Sequence, residues 1–457
     1  MNKRMVSTEL FSSATCPLNC KYCYIPKTSQ MGFLQDKIIT NLDQREYLDT
    51  LKRAYGQNLQ YLGFWGTEPT LTLKKIQKSL SFLFKTFPKL VGISFSTNLL
   101  TNPEIILNFI KALTKTRKKI NLKVQISIDG PDFITDINRG PGATKKITEN
   151  FFYLISKLNT INLTNLNVRF SLKPTLSIDN IKILNKKKER LRKYFDFFEK
   201  IFQEFKRKNK NQKVSLLTSC TPTLVCPGKY TSVDGKELAI FFRNLRILGK
   251  QNKKNQHWKY VKSSLNTYVY RLKRLFDYQN ELFIKPYMFT CSGGDSNFGV
   301  GIDNDLHICH RSFFLNNQEY IESILKNEEI KNWDVSLFEK GNLDLIKNKF
   351  IVDINKLEEK IRLFYVGRNY HDFTRLKISY TLAMLQELVL VGQASECYLD
   401  EDLAILFAIF LNLALGCPTE NVLNTGVIHF SPISMIRLFA NGAFEEILKE
   451  YIEWQKK

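Results

Sequence analysis

Short apolar runs recur through the first half of the chain, and segments of helical period separate them. The runs at 59–65, 92–96, 122–128, 166–172 and 213–218 have strand length and are rich in β-branched and aromatic residues. A further run, from Val6 to Phe11, reads as a strand as well. Between them, 72–87, 103–116 and 149–158 carry apolar residues at helical spacing. This alternation predicts an α/β fold with a parallel sheet and crossover helices. Six such units are present, short of the eight of a closed barrel. The expectation is a partial (β/α)6 TIM-like barrel, with its active groups at the carboxyl ends of the strands.

The pattern changes after residue 220. Residues 236–282, like the earlier stretch 185–211, read as mostly basic, amphipathic helix. Residues 297–309 read as a β-hairpin around the turn Asp303-Asn304-Asp305, where Asn304 tolerates the left-handed conformation of a tight turn. From 357 onward the pattern is helical and apolar-rich. Three regions are expected: a core barrel at 1–220, linker helices with a small hairpin domain at 221–355, and a helical C-terminal cap at 356–457. The longest apolar stretch, 403–415, is interrupted by Asn412 and is too short to span a bilayer. The N-terminus leads straight into a strand, without a signal-peptide pattern.

Composition narrows the picture in three ways. The 457 residues are 44% hydrophobic, enough for a large core and two or three domains. Nine cysteines, an odd number, argue against a disulfide framework and for metal or redox chemistry in a reducing cytoplasm. The net charge is +23. Such a surplus suits nucleic acid or an acidic peptide. Lysine is abundant throughout, however, and no recognised nucleic-acid-binding motif is interleaved with it, so a solvated basic surface is preferred.

The most informative chemistry lies in Thr15-Cys16-Pro17-Leu18-Asn19-Cys20-Lys21-Tyr22-Cys23. Cys16, Cys20 and Cys23 are spaced C-x3-C-x2-C. Zinc sites want four ligands, normally paired C-x2-C knuckles. Three thiolates on one loop fit an iron–sulfur cluster with one iron left open better than a closed zinc site. The second strand ends in Gly66-Thr67-Glu68-Pro69, where a glycine lets backbone approach a ligand. The third ends in Thr97-Asn98, and the fourth in Ser127-Ile128-Asp129-Gly130, followed by Arg139. Taken singly, each is an ordinary strand-to-helix cap. Taken in order, small polar groups at successive strand ends suit a zwitterionic, ribose-bearing ligand, and an arginine can clamp its carboxylate.

In these motifs the first 220 residues resemble the radical S-adenosylmethionine superfamily, in the branch of anaerobic sulfatase-maturating enzymes and peptide-modifying SPASM proteins. The resemblance implies that Cys16, Cys20 and Cys23 bind a [4Fe–4S] cluster whose open iron chelates S-adenosylmethionine. It implies that Tyr22 lies against the adenine, that the backbone of Gly66, Thr67 and Glu68 meets the methionine amino group, and that Ser127 and Arg139 contact the methionine carboxylate or ribose. Asn98 and Asp129 belong to the same cofactor-binding set. Thr67 stands where the family usually has glycine. It keeps the backbone contacts if its φ is negative.

The second region resembles a SPASM domain only at its opening, in Cys291-Ser292-Gly293-Gly294, the hairpin, and Ile308-Cys309-His310-Arg311. The four-cysteine run that usually follows is missing, which argues against two auxiliary clusters. One auxiliary [4Fe–4S] cluster can be held by Cys291, Cys309 and two of Cys220, Cys226, Cys397 and Cys417. Alternatively, some of these are buried apolar thiols. Cys220 is a candidate ligand or hydrogen-atom donor, and His310 a candidate acid–base group, because its pKa lies near neutrality. The implied function is hydrogen abstraction from a residue of a peptide or protein, leading to a crosslink, epimerisation or oxidation, as in maturases of ribosomal peptides or of sulfatases. Flavodoxin or ferredoxin is the expected electron donor. The rivals are an RNA-modifying radical enzyme and a non-catalytic metal-binding protein.

Overall fold

The computed structural model describes residues 6–23, 31–116, 118–217, 222–225, 232–251, 260–261, 297–307 and 351–352. In chain order the elements are β1 (Ser7–Ser13), α1 (Met31–Gln44), α2 (Glu46–Tyr55), β2 (Tyr61–Gly66), α3 (Leu73–Thr86), β3 (Gly92–Thr97), α4 (Glu104–Thr114) and β4 (Ile120–Ser127). There follow α5 (Asp132–Arg139), α6 (Ala143–Leu158), β5 (Leu166–Lys173), β6 (Thr175–Ser177), α7 (Ile178–Asn185), α8 (Lys188–Lys208), β7 (Val214–Leu217), β8 (Thr223–Val225) and α9 (Ser232–Gln251). The last are β9 (Asn297–Val300), β10 (Leu306–His307) and β11 (Ile351–Val352).

Strands β1, β2, β3, β4, β5 and β7 lie side by side in one open sheet, each pair parallel. This is the expected six-unit α/β core. Crossover helices α1, α3, α4, α6 and α8 pack against their neighbours in that order and form a layer on one face. Leu122, Val124, Ile126, Val168 and Phe170 are buried beneath that layer. Fully burying one such side chain stabilises the fold by roughly 1.5–3 kcal/mol.

Three departures from the sequence reading have local causes. Helix α6 begins at Ala143, ahead of the predicted 149, because Gly142 at φ 76° turns the chain into it. Helices α1 and α2 fill a stretch to which no element had been assigned. Pro174 interrupts the run after β5, since it has no amide to continue the ladder. Beyond it, β6 pairs with β8 as a separate two-stranded sheet.

The hairpin predicted at 297–309 is present within the described residues, with β9 and β10 antiparallel. Asn304 has φ 64°, as the turn requires. Rather than standing apart, the hairpin extends the core sheet, because β9 pairs in parallel with β1 from Ser7↔Asn297 to Leu10↔Val300. Its turn is latched to the first two helices. Asn41 Nδ2 donates to the Ile302 carbonyl at 3.1 Å, Thr50 Oγ1 to Asn304 Oδ1 at 2.7 Å, and Lys37 pairs with Asp303. The segments at 357–457 and most of 236–282 lie outside the described residues. Among the described residues, no helix is long and apolar enough to cross a membrane.

His307 on β10 is fully buried, and burial lowers its pKa from 6.5 to about 3. The folded chain therefore keeps this imidazole neutral while the unfolded chain protonates it below pH about 6.5. Stability contributed by the neutral form is complete above that pH and is lost progressively as pH falls toward 3. Urea unfolding is expected to show a lower midpoint at pH 5 than at pH 7, and His307→Phe should flatten that fall. An unaltered pH dependence in the variant would contradict the burial argument.

Candidate functional site

The cysteine loop leaves the end of β1, and two elements distant in sequence fix its start. Gln35 of α1 accepts hydrogen bonds from the Ala14 and Thr15 amides at 2.8 and 3.2 Å. From the end of β2, the Thr67 amide donates to the Ser13 carbonyl at 2.9 Å, and the Thr67 hydroxyl donates to the Ser13 and Thr15 carbonyls. Gly66 sits at φ 144°, where an added Cβ would stand 2.2 Å from the Ser13 carbonyl oxygen. Only glycine fits that approach. Thr67 is not among the residues with positive φ. It meets the backbone requirement and adds hydroxyl bonds that glycine lacks.

The far end of the loop is held by a buried carboxylate. Asp129, 0% exposed, accepts from the Tyr22 hydroxyl at 2.8 and 2.7 Å, from Arg139 Nε and Nη2 at 3.0 Å each, from Asn138 Nδ2 at 3.1 Å and from the Thr175 amide at 3.1 Å. Arg139 Nη2 also donates to the Tyr22 hydroxyl, and its guanidinium lies 5.6 Å from the Tyr22 ring centroid. The Lys21 amide donates to the Asn138 carbonyl at 3.1 Å. Burial alone would lower the Arg139 pKa, but the charge and hydrogen bond of Asp129, together with Tyr22 and Cys20, outweigh it and raise the pKa. Burial pushes the Tyr22 phenol well above its ordinary value, against the lowering effect of Arg139.

Glu68 forms a second buried crosslink, between the ends of β2 and β3. It is 1% exposed and accepts from the Asn98 amide at 2.7 Å and the Thr70 hydroxyl at 2.5 Å. Burial raises its pKa, and these hydrogen bonds oppose the rise. The Asn98 side chain closes a turn by accepting from the Leu100 amide at 2.9 Å. Leu99, next in line, has φ 55° and is fully buried, an uncommon strain at this strand end.

The three thiols are half-buried. Cys16 Sγ faces the Leu18 amide at 3.4 Å and Asn98 Nδ2 at 3.5 Å, and Cys20 Sγ faces Arg139 Nη1 at 3.9 Å. Burial pushes the Cys20 thiol up to about 11, against the lowering effect of Arg139. The donor set fits an iron–sulfur cluster: one loop carries the thiols, and outer N–H groups aim at two of the sulfurs. Among the described residues, no three His, Cys, Asp or Glu side chains converge on a single-ion position. A cubane cluster does not require that, since its thiolates bind separate irons.

Cys16, Cys20, Cys23, Tyr22, Gly66, Thr67, Glu68, Asn98, Ser127 and Asp129 lie on β1, β2, β3 and β4 ends or the segments after them, and Arg139 is the last residue of α5. Ser127 is half-buried at the last position of β4. Cys220, Cys226, Cys291, Cys309, His310, Cys397 and Cys417 lie outside the described residues. Sequence reasoning passed over Gln35, Asn138, Thr175 and Asn180. Asn138 and Asn180 bond each other at 2.9 and 3.2 Å, and Asn180 forms a capping box with Ser177. A Ser-x-x-Asn pattern was available as the signal, but the usual partner of a capping box is Glu or Gln.

An open parallel sheet with a three-cysteine loop at its carboxyl edge, braced by a Gly-Thr-Glu-Pro turn and an Asp–Arg–Tyr cluster, is consistent with a radical S-adenosylmethionine core. Residues 10–168 match the family model described as Radical SAM superfamily. Comparison with curated proteins gives no match. Among solved structures, similarity is found to SuiB of Streptococcus suis bound to the precursor peptide SuiA, at 13% identity over 75% of this chain and 66% of that chain, with a TM-score of 0.39. SuiB without the peptide gives 12% identity over 76% and 68%, at 0.39. SuiB bound to S-adenosylmethionine gives 11% over 75% and 76%, at 0.37. The chain thus spans just under two thirds of the first of these structures.

The guanidinium fork of Arg139 is spent on Asp129 in this geometry, and an ammonium cannot reproduce two parallel bonds. Arg139→Lys is therefore expected to lower unfolding stability by about 1–3 kcal/mol in the absence of any cofactor, read by urea denaturation. Unchanged stability with weakened S-adenosylmethionine binding would instead make Arg139 a cofactor contact.

Proposed function

We propose that this chain is an enzyme in which Cys16, Cys20 and Cys23 hold a [4Fe–4S] cluster and which abstracts a hydrogen atom from a residue of a peptide or protein. The observation that carries the reading is the loop of three thiols at the carboxyl edge of the sheet, pinned at one end by Gln35 and Thr67 and at the other by Asp129. When bound there, the cluster supplies the single electron that cleaves the sulfonium of S-adenosylmethionine. Gly66 and Thr67 keep the neighbouring strand end close against the loop. Asn98 and Arg139 direct N–H groups at the Cys16 and Cys20 sulfurs. Ser127, at the end of β4, is available to a ligand on the inner face.

The peptide substrate rests on the SPASM-like signature around the hairpin, whose Asn304 turn is described above. The outcome, whether crosslink, epimerisation or oxidation, belongs to the same proposal, as do a flavodoxin or ferredoxin donor, a cytoplasmic location, and roles for Cys220 and His310. Anaerobically reconstituted protein with dithionite should yield 5′-deoxyadenosine, and changing Cys16, Cys20 and Cys23 together to Ala should abolish it. Undiminished product from the triple variant would overturn the assignment.

An auxiliary cluster on Cys291 and Cys309 is proposed from sequence. Iron content should then exceed the roughly four per chain of one cubane cluster, and return to about four when both are changed to Ala. Four irons in the unaltered protein would remove the auxiliary cluster.

A further inference from the structure

Strands of a parallel sheet are usually covered on both faces and read as continuous apolar runs. Here β4 and β5 alternate strictly. Ile120, Leu122, Val124 and Ile126 are buried, while Asn121 and Lys123 are exposed and Gln125 and Ser127 half-buried. In β5, Asn167, Arg169 and Lys173 are exposed and Ser171 half-buried. The polar set lies on the face away from the helices. Two cross-strand bonds fix this: Asn167 Nδ2 donates to Asn121 Oδ1 at 3.1 Å, and Gln125 Nε2 donates to Ser96 Oγ at 3.0 Å.

Between those two bonds, Lys123 and Arg169 stand directly opposite each other in register. Like charges placed this way repel and are normally avoided. Among the described residues, neither side chain has an ion pair, a hydrogen bond or a ring contact. The acidic residue of the same row, Glu9, is three strands away, through Gly63 and Ser94. A Cβ at Gly63 would meet Ser94 Oγ at 3.2 Å and Glu9 Cγ at 3.4 Å, and Ser215 follows Arg169 on the other side. The row lies four residues below Ser127, roughly 13 Å along the strand.

We propose that this inner face is the substrate surface and that Lys123 and Arg169 together bind an acidic side chain of the peptide. The Arg169 fork matches the two oxygens of a carboxylate, and Lys123 adds a point charge beside it. Asn121, Asn167, Gln125 and Ser171 around the pair offer donors and acceptors to a peptide backbone. A nucleic acid is disfavoured because two cations in a polar row provide neither an extended basic track nor a stacking platform. The inference rests on the radical-enzyme reading only for the location of the substrate.

The test measures binding of capped, C-terminally amidated peptides to the full-length reconstituted protein at about 0.15 M salt. A Glu-containing peptide is compared with its Gln counterpart and with a single-stranded oligonucleotide of equal charge. The unaltered protein should prefer the Glu peptide on the order of tenfold, as one charge-assisted contact provides. Lys123→Gln with Arg169→Gln should lose that preference, whereas the charge-matched Lys74→Gln with Lys146→Gln, on outer helices, should keep it. The peptide should also raise the melting temperature of the unaltered protein but not of the inner-face variant. Each single inner-face variant reads the same preference if the double variant does not fold. A preference that survives in the inner-face variants, or falls equally in the outer-helix control, would overturn the proposal. So would an oligonucleotide, rather than the peptide, depending on Lys123 and Arg169. Acid preference without 5′-deoxyadenosine formation would leave this inference standing and remove the radical reading. The reverse result would remove only this inference.

Discussion

The structure around the cysteine loop depends on one buried carboxylate. Asp129 has no contact with solvent, so every lone pair must be met from within the protein. Its four partner residues arrive from three places: the cysteine loop through Tyr22, the end of α5 through Asn138 and Arg139, and the start of β6 through Thr175. Leaving a buried charge without its partner costs about 3–5 kcal/mol. That penalty is what gives the loop one position relative to β4. It also explains why Tyr22 sits between two of the cysteines: its phenol is the loop's only side-chain link to this carboxylate among the described residues.

Gly130 shows how little slack the arrangement has. It follows Asp129 at φ 149°, and a Cβ there would lie 2.7 Å from Tyr194 Cε2. The Asp129 and Gly130 amides both donate to the Thr135 hydroxyl, at 3.1 and 2.9 Å. Backbone, glycine and hydroxyl thus aim the carboxylate inward, away from the position where a strand-to-helix cap would usually use it. At the other end of the site Glu68 does comparable work between β2 and β3. Two buried acids therefore brace four strand ends, and the thiols lie half-buried beside them.

Much of this was legible in the sequence, because local rules and global fold agree along β1 to β5. Apolar runs at strand length gave the strands, and a chain of polar motifs at their ends gave the site. The turn at Asn304 was also readable, since few residues other than glycine accept its φ. What was not legible depends on tertiary partners. Gln35 lies in an amphipathic helix with nothing local to distinguish it from a surface residue. Arg139 reads as a free clamp in sequence, yet its fork is engaged by an aspartate ten positions earlier. The attachment of the hairpin to β1 could not be read either, because it pairs residues about 290 apart. The alternation in β4 and β5 was present all along, and its meaning appears only once the crossover helices among the described residues are seen to lie on one face.

The central claim is that the Asp129 cluster sets the cysteine loop in the geometry that binds an open iron–sulfur cluster. Electron paramagnetic resonance of reconstituted, reduced protein tests it directly, with and without S-adenosylmethionine, in the unaltered chain and in Asp129→Asn of matched circular dichroism. The account predicts a reduced-cluster signal that changes when S-adenosylmethionine is added, and its loss or indifference to the cofactor in the variant. A variant with the same signal and the same response would show that the loop holds its geometry without Asp129, and would contradict the account.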